Sequence, residues 1–117
     1  MNLTSKIENL RILLIENNEL DALKVKKYLQ TDGQGLILPI VNHIHSLSDL
    51  KSSFKGCTFD VIIFGIKTSD ERSSEDLKEL LDWCNRFPIL VLLDEEDVNL
   101  GIRLLHEGAQ EYLFKSY

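Results

Sequence analysis

FDVIIFGI, at residues 59–66, is a nearly unbroken run of apolar, strand-forming side chains. A strand that is apolar at almost every position, rather than at every second one, is typical of the middle of a sheet covered on both faces. The segment leads through Gly65 and Ile66 into a polar loop at residues 67–74. Because ligands of open parallel α/β sheets bind where central strands end, the function is expected to depend on what surrounds Gly65. Gly65 has no side chain and cannot itself be a nucleophile, an acid, a base or a metal ligand.

The composition indicates one globular domain. The chain has 117 residues, of which 44% are hydrophobic and 27% charged, which suffices for one core but not for two domains. No apolar run approaches the roughly 20 residues that cross a bilayer, and the N-terminal sequence MNLTSKIENL does not resemble a secretory signal. The net charge of −6 argues against a nucleic-acid surface, which needs clustered lysine and arginine. We predict a cytoplasmic protein that contacts neither membranes nor nucleic acid directly.

Cysteine and histidine spacings do not form a recognisable metal motif. Cys57 and Cys84 are too few and too far apart for a disulfide framework or a four-cysteine zinc site, so reduced thiols are expected. His43 and His45 are two residues apart and could share one face of a strand end as a metal pair. Without a third ligand nearby in the sequence, surface or capping roles are expected for both histidines.

Strand and helix patterns alternate along the chain. The predicted strands are residues 10–15, 36–41, 59–66, 88–93 and 111–114. The predicted helices are residues 19–30, a short helix containing Leu47, Leu50 and Phe54, a helix that Ser74 caps and that ends at Cys84 or Asn85, and residues 98–107. Each connection between strands is one helix long, which predicts a parallel sheet with right-handed crossovers and helices on both faces.

Local features refine this prediction. Pro39 lacks an N–H group, so the second strand is expected at a sheet edge. Glycine is suited to end the first helix at Gly33 or Gly35 and the last helix at Gly108. The apolar residues of the first helix approximate one stripe that would face the core. They are Leu20, Leu23, Val25, Tyr28 and Leu29.

Three strings resemble the receiver domain of two-component response regulators. They are ILLIENN at residues 12–18, FDVIIFGI at residues 59–66 and PILVLLDEEDVNLGIRLLHEGAQEYLFKSY at residues 88–117. The resemblance implies a three-layer α/β/α, flavodoxin-like, doubly wound sheet of five parallel strands in the order 2-1-3-4-5. It also implies a receiver-like domain at residues 10–117, with a lead-in at residues 1–9 and without the family's fifth helix.

In that family, an aspartate at the end of the third strand accepts a phosphoryl group. Acidic residues hold a divalent ion, and a lysine and a hydroxyl hold the phosphoryl oxygens. The resemblance places Gly65 at the acceptor position, so the nucleophile is missing. Asn17 stands in place of the second acidic residue, and Leu93 replaces the serine or threonine that hydrogen-bonds the phosphoryl group. These three losses imply that phosphorylation by the family's route is impossible.

Other positions of the family's site are retained. Glu16 matches the first acidic residue, Tyr112 the aromatic switch position and Lys115 the lysine, whereas Ser116 replaces the usual proline. Lys115 is expected to pair with Glu16 as a structural contact. Tyr112 is expected to pack at the sheet edge, with a rotamer switch as the alternative. Because a third carboxylate is absent, no cofactor is predicted, and a weak Mg²⁺ site at Glu16 and Asn17 is not favoured.

The resemblance therefore favours a non-catalytic pseudo-receiver that acts through protein contacts, independently of aspartyl phosphorylation. Its expected partner is a signalling protein or an attached output or kinase domain. The expected contact surface is the fourth helix, the last strand and the acidic run at residues 94–97. A homodimer through the sheet face that the fifth helix would cover is also expected.

Two alternatives remain open at this point. The first is a domain that senses a small molecule in the space vacated at Gly65. The second is a phosphorylatable receiver that uses a displaced acid, for which Asp70 is the candidate. Asp60 is expected at the opposite end of the third strand. An enzyme of another kind is not predicted, because no nucleophile–base pair or phosphate-binding glycine loop is visible.

Overall fold

The computed structural model describes residues 8–31, 37–53, 58–84 and 86–115. Five strands alternate with four helices in this part of the chain. The strands are β1 (Glu8–Ile15), β2 (Ile37–Ile44), β3 (Val61–Ile66), β4 (Ile89–Leu93) and β5 (Glu111–Phe114). The helices are α1 (Glu19–Thr31), α2 (Leu47–Ser53), α3 (Ser73–Trp83) and α4 (Val98–His106). None of these helices is long and apolar enough to cross a membrane.

All strand pairs are parallel, and the sheet order is β2-β1-β3-β4-β5. The predicted flavodoxin-like, doubly wound fold is therefore confirmed. The register aligns Ile15 with Phe64 and Leu93 with both Ile66 and Phe114, so the carboxyl ends of four strands meet at one edge. β2 lies at a sheet edge, as Pro39 predicts, because an edge strand does not need every N–H group for pairing.

The core consists of two layers on opposite faces of the sheet. Ala22 and Val25 of α1 pack against one face, which includes Ile12, Leu14 and Ile63. The other face is covered by α2, α3 and α4 through buried leucines. These are Leu50, Leu77, Leu80, Leu100 and Leu104. Apolar residues on both sides of β1, β3 and β4 thus account for their continuous apolar sequences.

The apolar stripe predicted for α1 is correct only for Val25 and Leu29, which pack in the core layer under the helix. Leu20, Leu23 and Tyr28 are exposed, whereas Ala22 and Val25 are buried. The buried positions of α1 follow a spacing of three to four residues from Ala22, and the exposed leucines lie on the other side of the helix. Apolar content alone therefore did not identify the face that meets the sheet.

Several boundaries also differ from the prediction. β2 continues to Ile44, because residues 42–44 keep pairing with β1, although Asn42 and His43 are polar. α3 begins at Ser73, so Ser74 lies inside the helix and does not precede it as predicted. The residue before the helix, Arg72, makes no side-chain capping hydrogen bond. Gly108 follows α4 with a φ of 125°, which confirms its predicted role as a helix end.

Some predicted features lie outside the described residues. They are the greater part of the lead-in, the glycine caps at Gly33 and Gly35, and the positions of Phe54, Cys57, Asn85 and Ser116. The thiol of Cys84 is free and buried, and burial raises its pKa, which keeps it protonated and unreactive.

Candidate functional site

The carboxyl edge of the sheet is built around Glu16, the first residue after β1. Its backbone N–H donates to the carbonyl of Ile44 at 3.0 Å. Its own carbonyl accepts a hydrogen bond from Nε2 of His43 at 2.8 Å. Two contacts with β2 therefore fix the backbone from which the Glu16 side chain extends.

The Glu16 side chain points into the protein. The residue is 4% exposed, and its Oε1 lies 2.6 Å from Nζ of Lys115. Oε1 makes this ion pair, and among the described residues it has no hydrogen-bond partner of good geometry. Oε2 accepts the backbone N–H of Asn18 at 3.0 Å. The predicted pairing of Glu16 with Lys115 is confirmed, but as a buried contact.

Lys115 has a second anionic partner, Asp21, which the sequence analysis missed. Nζ of Lys115 donates to Oδ2 of Asp21 at 2.9 Å, and the lysine side chain is only 9% exposed. Asp21 lies in the first turn of α1, directly after the end of β1. Its acidic side chain in that turn was the available signal, because helix N-termini that follow a strand lie at the carboxyl edge of a parallel sheet.

The two carboxylates keep the buried lysine charged. Burial by itself lowers the pKa of Lys115, but the hydrogen bonds and charges of Asp21 and Glu16 outweigh burial, so the pKa is raised. Two of the three N–H donors of the ammonium group face Glu16 and Asp21, whose two negative charges outweigh its single positive charge.

Gly65 lies in β3 directly beside the Glu16 carboxylate. A Cβ atom added at Gly65 would lie 2.3 Å from Oε1 and 2.9 Å from Cδ of Glu16. Real Cβ atoms do not approach other atoms so closely. The space that a side chain at position 65 would need is therefore occupied by Glu16. We call Glu16, Asp21, Gly65 and Lys115 the carboxyl-edge cluster.

The residues at this edge do not fit a divalent metal ion. Both oxygens of Glu16 are already used, by Lys115 and by Asn18. Asn17 is exposed, and no group of three metal-ligating side chains that could hold an ion is found in the described part of the chain. Mg²⁺ prefers several charged oxygen ligands, and here the one buried carboxylate is neutralised by an ammonium group.

Leu93 and the acidic run close the neighbouring part of the edge. Leu93 is fully buried, and its carbonyl accepts the backbone N–H of Lys115 at 2.8 Å. The carboxylate of Asp94 accepts the backbone N–H of Thr68 at 2.8 Å, and the Thr68 hydroxyl donates to Glu95 at 3.2 Å. The loop after β3 is thus attached to the loop after β4.

Tyr112 is half-buried and contacts α4. A Cβ atom added at Gly101 would lie 2.6 Å from the Tyr112 ring, so the ring packs directly on the helix backbone. Its centroid is 5.6 Å from that of Phe114. The expectation that Tyr112 packs at the sheet edge agrees with this geometry, and the ring has an inward orientation in this structure.

The outer surface of α4 contrasts with the carboxyl edge. Val98 and Ile102, one helical turn apart, are 50% and 45% exposed. They follow the acidic loop 94–97, in which Asp97 caps α4 by accepting the N–H of Leu100 at 3.0 Å. We call Val98, Ile102 and the loop 94–97 the α4 face.

The two histidines are engaged with protein groups. His43 contacts the Glu16 carbonyl, as described above, and His45 pairs with the carboxylate of Glu19. Their ring centroids are 4.7 Å apart. The hydrogen bond with His45 lowers the pKa of Glu19 on the protein surface.

A cavity of about 480 Å³ lies next to the carboxyl-edge cluster, between α2 and α3. Its floor includes Ile15, Phe64 and the backbone of Gly65. Its rim carries charged side chains, among them Lys67 and Asp76. Burial and the neighbouring Asp70 raise the pKa of Asp76.

Two other acids near β3 have different surroundings. Asp60 precedes β3, and its carboxylate accepts the N–H of Arg11 at 2.7 Å, at the amino end of the strand as expected. Asp70 lies exposed in the loop after β3, and its carboxylate accepts the N–H of Arg72 at 2.9 Å. Neither contact involves Lys115.

Solved structures share this fold, although no protein-family model and no curated protein matches the sequence. A receiver domain from Clostridium thermocellum is 23% identical with a TM-score of 0.70, over 92% of this chain and 83% of that one. The non-phosphorylated HemR receiver domain from Leptospira biflexa is 20% identical, with a TM-score of 0.70 and coverages of 92% and 83%. The phosphorylated cyanobacterial phytochrome response regulator RcpA is 16% identical, with a TM-score of 0.73 and coverages of 92% and 81%. The chain therefore has the fold of response regulator receiver domains, a statement about architecture and not about activity.

Proposed function

We propose that this chain is a non-catalytic pseudo-receiver of a two-component-type signalling protein. It acts by binding a signalling protein, or an output or kinase domain, without aspartyl phosphorylation. The degenerate phosphorylation site consists of Glu16, Asn17, Gly65, Leu93, Tyr112 and Lys115.

The observation that carries this proposal is the contact between Glu16 and Gly65. At the tip of β3 there is no carboxylate, and the Glu16 side chain occupies the space beside Gly65, since its Oε1 would lie 2.3 Å from a Cβ atom at position 65. Lys115, the cation that would meet a phosphoryl group, is paired with Glu16 and Asp21. Leu93 offers no hydroxyl. The nucleophile, the metal site and the phosphoryl contacts are therefore all unsupported by the side chains present.

The α4 face supports a role in protein binding. Exposed apolar side chains one helical turn apart, next to an acidic loop, resemble the apolar centre and charged rim of transient interfaces. Val98 and Ile102 supply the apolar part, and the loop 94–97 supplies the charge. Tyr112 connects this face to β5 through its contact with Gly101. A partner that distinguishes two arrangements of this region would supply the regulation.

The test is incubation of the purified chain with acetyl phosphate and Mg²⁺, followed by intact mass spectrometry. The proposal predicts an unchanged mass, while a receiver domain with an acceptor aspartate, treated in parallel, gains one phosphoryl group. A phosphoryl adduct on this chain that hydroxylamine removes would overturn the proposal.

The same experiment addresses a displaced acceptor. Asp70 is the candidate acid, but its described hydrogen bond goes to Arg72, and Lys115 is already paired. If an adduct forms and disappears in Asp70→Asn, the chain is a receiver with a displaced acceptor.

A small-molecule sensor is the second candidate, and the cavity beside Gly65 favours it. Its volume of about 480 Å³ lies within the range of ligand sites, and its floor is apolar with charged groups at the rim. A thermal-shift screen of metabolites with the isolated chain tests this role. A compound that raises Tm, with a smaller rise in Asp76→Asn than in Asp82→Asn, supports it.

We also propose a homodimer through the α1 side of the sheet. Leu113 pairs in register with Leu92, which belongs to the core layer under α1, yet Leu113 is 51% exposed. Sedimentation analysis of the wild type and Leu113→Lys tests this contact. The proposal predicts concentration-dependent association that the substitution weakens, and a monomeric wild type at high concentration contradicts it.

A further inference from the structure

The carboxyl-edge cluster holds one buried carboxylate at the position nearest to Gly65. That carboxylate belongs to Glu16, which follows β1, although it lies directly beside Gly65 of β3. Glu16 and a side chain at position 65 would occupy the same space, because their atoms would approach to 2.3 Å. The absence of a side chain at Gly65 is therefore a condition for the inward position of Glu16.

We infer that Glu16 is a positioning residue: its inward carboxylate is the inner partner of Lys115, a place that a carboxylate at position 65 could fill only if Glu16 left its present orientation. This inference concerns the packing and charge of the cluster and does not depend on the proposed function.

The negative charge of Glu16 affects the structure because it pairs with the buried ammonium group of Lys115. A nearly buried ammonium group is costly unless it is paired, and Glu16 and Asp21 are its two partners. The backbone N–H of Lys115 also donates to the carbonyl of Leu93, just beyond the last paired residues of β4 and β5. By holding the lysine side chain, Glu16 fixes the end of β5. β5 also carries Tyr112, which packs on Gly101 of α4, so the cluster is connected to the α4 face.

The steric part is tested by adding a methyl group at position 65 in two backgrounds. In the wild type, Gly65→Ala forces Glu16 out of its position, and we expect Tm to fall by roughly 5–10 °C, as overpacking does. In the Glu16→Ala background the methyl group meets no carboxylate, so Gly65→Ala should change Tm little. Equal losses in both backgrounds would overturn the inference.

The charge part is tested by moving the carboxylate from β1 to β3. We expect Glu16→Ala to lower Tm by roughly 10 °C, because Lys115 loses a buried partner. Gly65→Asp alone should also lower Tm, because two carboxylates then compete for one space. The double variant Glu16→Ala with Gly65→Asp supplies the carboxylate from β3 and should recover at least half of that loss. The matched control is Glu16→Ala with Gly65→Asn, which fills the same space without the charge and should not recover it.

Hydrogen exchange gives a local readout. The Lys115 amide should exchange roughly tenfold faster in Glu16→Ala and return toward the wild-type rate in the aspartate double variant. If Glu16→Ala does not fold, Glu16→Ser replaces it in the same series, because serine also removes the charge and leaves the space beside Gly65 free. Equal recovery by asparagine and aspartate at position 65 would show that volume alone matters and would refute a requirement for charge.

Discussion

The carboxyl-edge cluster and the α4 face lie in the same domain but differ in which side chains they bury and which they expose. At the edge, Glu16 and Lys115 are charged, nearly buried and paired with each other. On the α4 face, Val98 and Ile102 are apolar and about half exposed. Buried charged side chains are rare unless they are paired, so the edge departs from the common distribution, whereas exposed apolar side chains also occur elsewhere on this chain, at Leu20 and Leu23.

The contrast suggests where function is retained. At the edge, the charged side chains of Glu16, Asp21 and Lys115 are used in contacts with one another. At the α4 face, apolar side chains remain available although they contribute little to the core. Substitutions should therefore cost stability at the edge and leave it unchanged at the α4 face.

The largest effect is expected for Lys115→Met. The substitution leaves Glu16 buried without its cation, and breaking a buried pair in this way costs about 3–5 kcal/mol. Urea unfolding measures this free energy. Lys67→Met is the matched control, because Lys67 is exposed and its loss should cost less than about 0.5 kcal/mol. Similar costs for the two lysines would remove the basis for treating the edge as a buried ionic cluster.

A smaller effect is expected for Gly101→Ala, at the junction of the two regions. The added methyl group would lie 2.6 Å from the Tyr112 ring, and the strain should cost about 1–3 kcal/mol despite the higher helix propensity of alanine. In Tyr112→Ala the ring is absent, and the same substitution should become neutral or stabilising. A double-mutant cycle by urea unfolding measures the coupling, and additivity would show that ring and helix are independent.

Raising the pH removes the charge of Lys115 gradually and therefore tests the same ion pairing. The pKa of Lys115 is raised above the ordinary value of 10.5, so its pairing stabilises the fold fully below pH 10.5 and is lost as pH rises through the folded-state pKa. The stability difference between the wild type and Lys115→Met should therefore be constant from neutral pH to pH 10.5 and shrink above it. A difference that grows on alkalinisation would contradict the assignment of Lys115 as a charged, paired group.

The smallest effects are expected on the α4 face. Val98→Lys and Ile102→Lys replace half-exposed side chains, and each should change the free energy of unfolding by less than about 0.5 kcal/mol. Leu104 lies on the buried side of α4, so Leu104→Lys should unfold the domain. A loss of several kcal/mol at Val98 or Ile102 would mean that this face belongs to the core and is not free for a partner.

The sequence predicted the fold in detail because the buried strands are apolar on both faces. The runs that became β1, β3 and β4 indicated the middle of a sheet, and the helix-length connections indicated parallel strands. The strand order 2-1-3-4-5 was implied by the resemblance to receiver domains. The exposed side of α1 was not predictable in the same way, because Leu20 and Leu23 are apolar yet point away from the sheet. Apolar residues on both sides of a helix give no unique direction.

At the site, the sequence identified the residues but not their arrangement. Glu16 and Lys115 were expected to pair, and they do. The role of Asp21 and the close contact of Glu16 with Gly65 depend on side-chain directions at the ends of four separate elements, which no local pattern contains. Glu16 therefore occupies the side-chain space of position 65, whereas a cavity remains next to it.

The most direct test of the closed carboxyl edge is fluorine NMR of the chain titrated with beryllium fluoride and Mg²⁺, which mimic the phosphoryl group without requiring a phosphodonor. The paired state of Glu16 and Lys115 predicts only the resonances of free beryllium fluorides at every concentration. A saturable bound resonance that disappears in Lys115→Met would show that the edge accepts a phosphoryl-like ligand and would contradict the proposed pseudo-receiver.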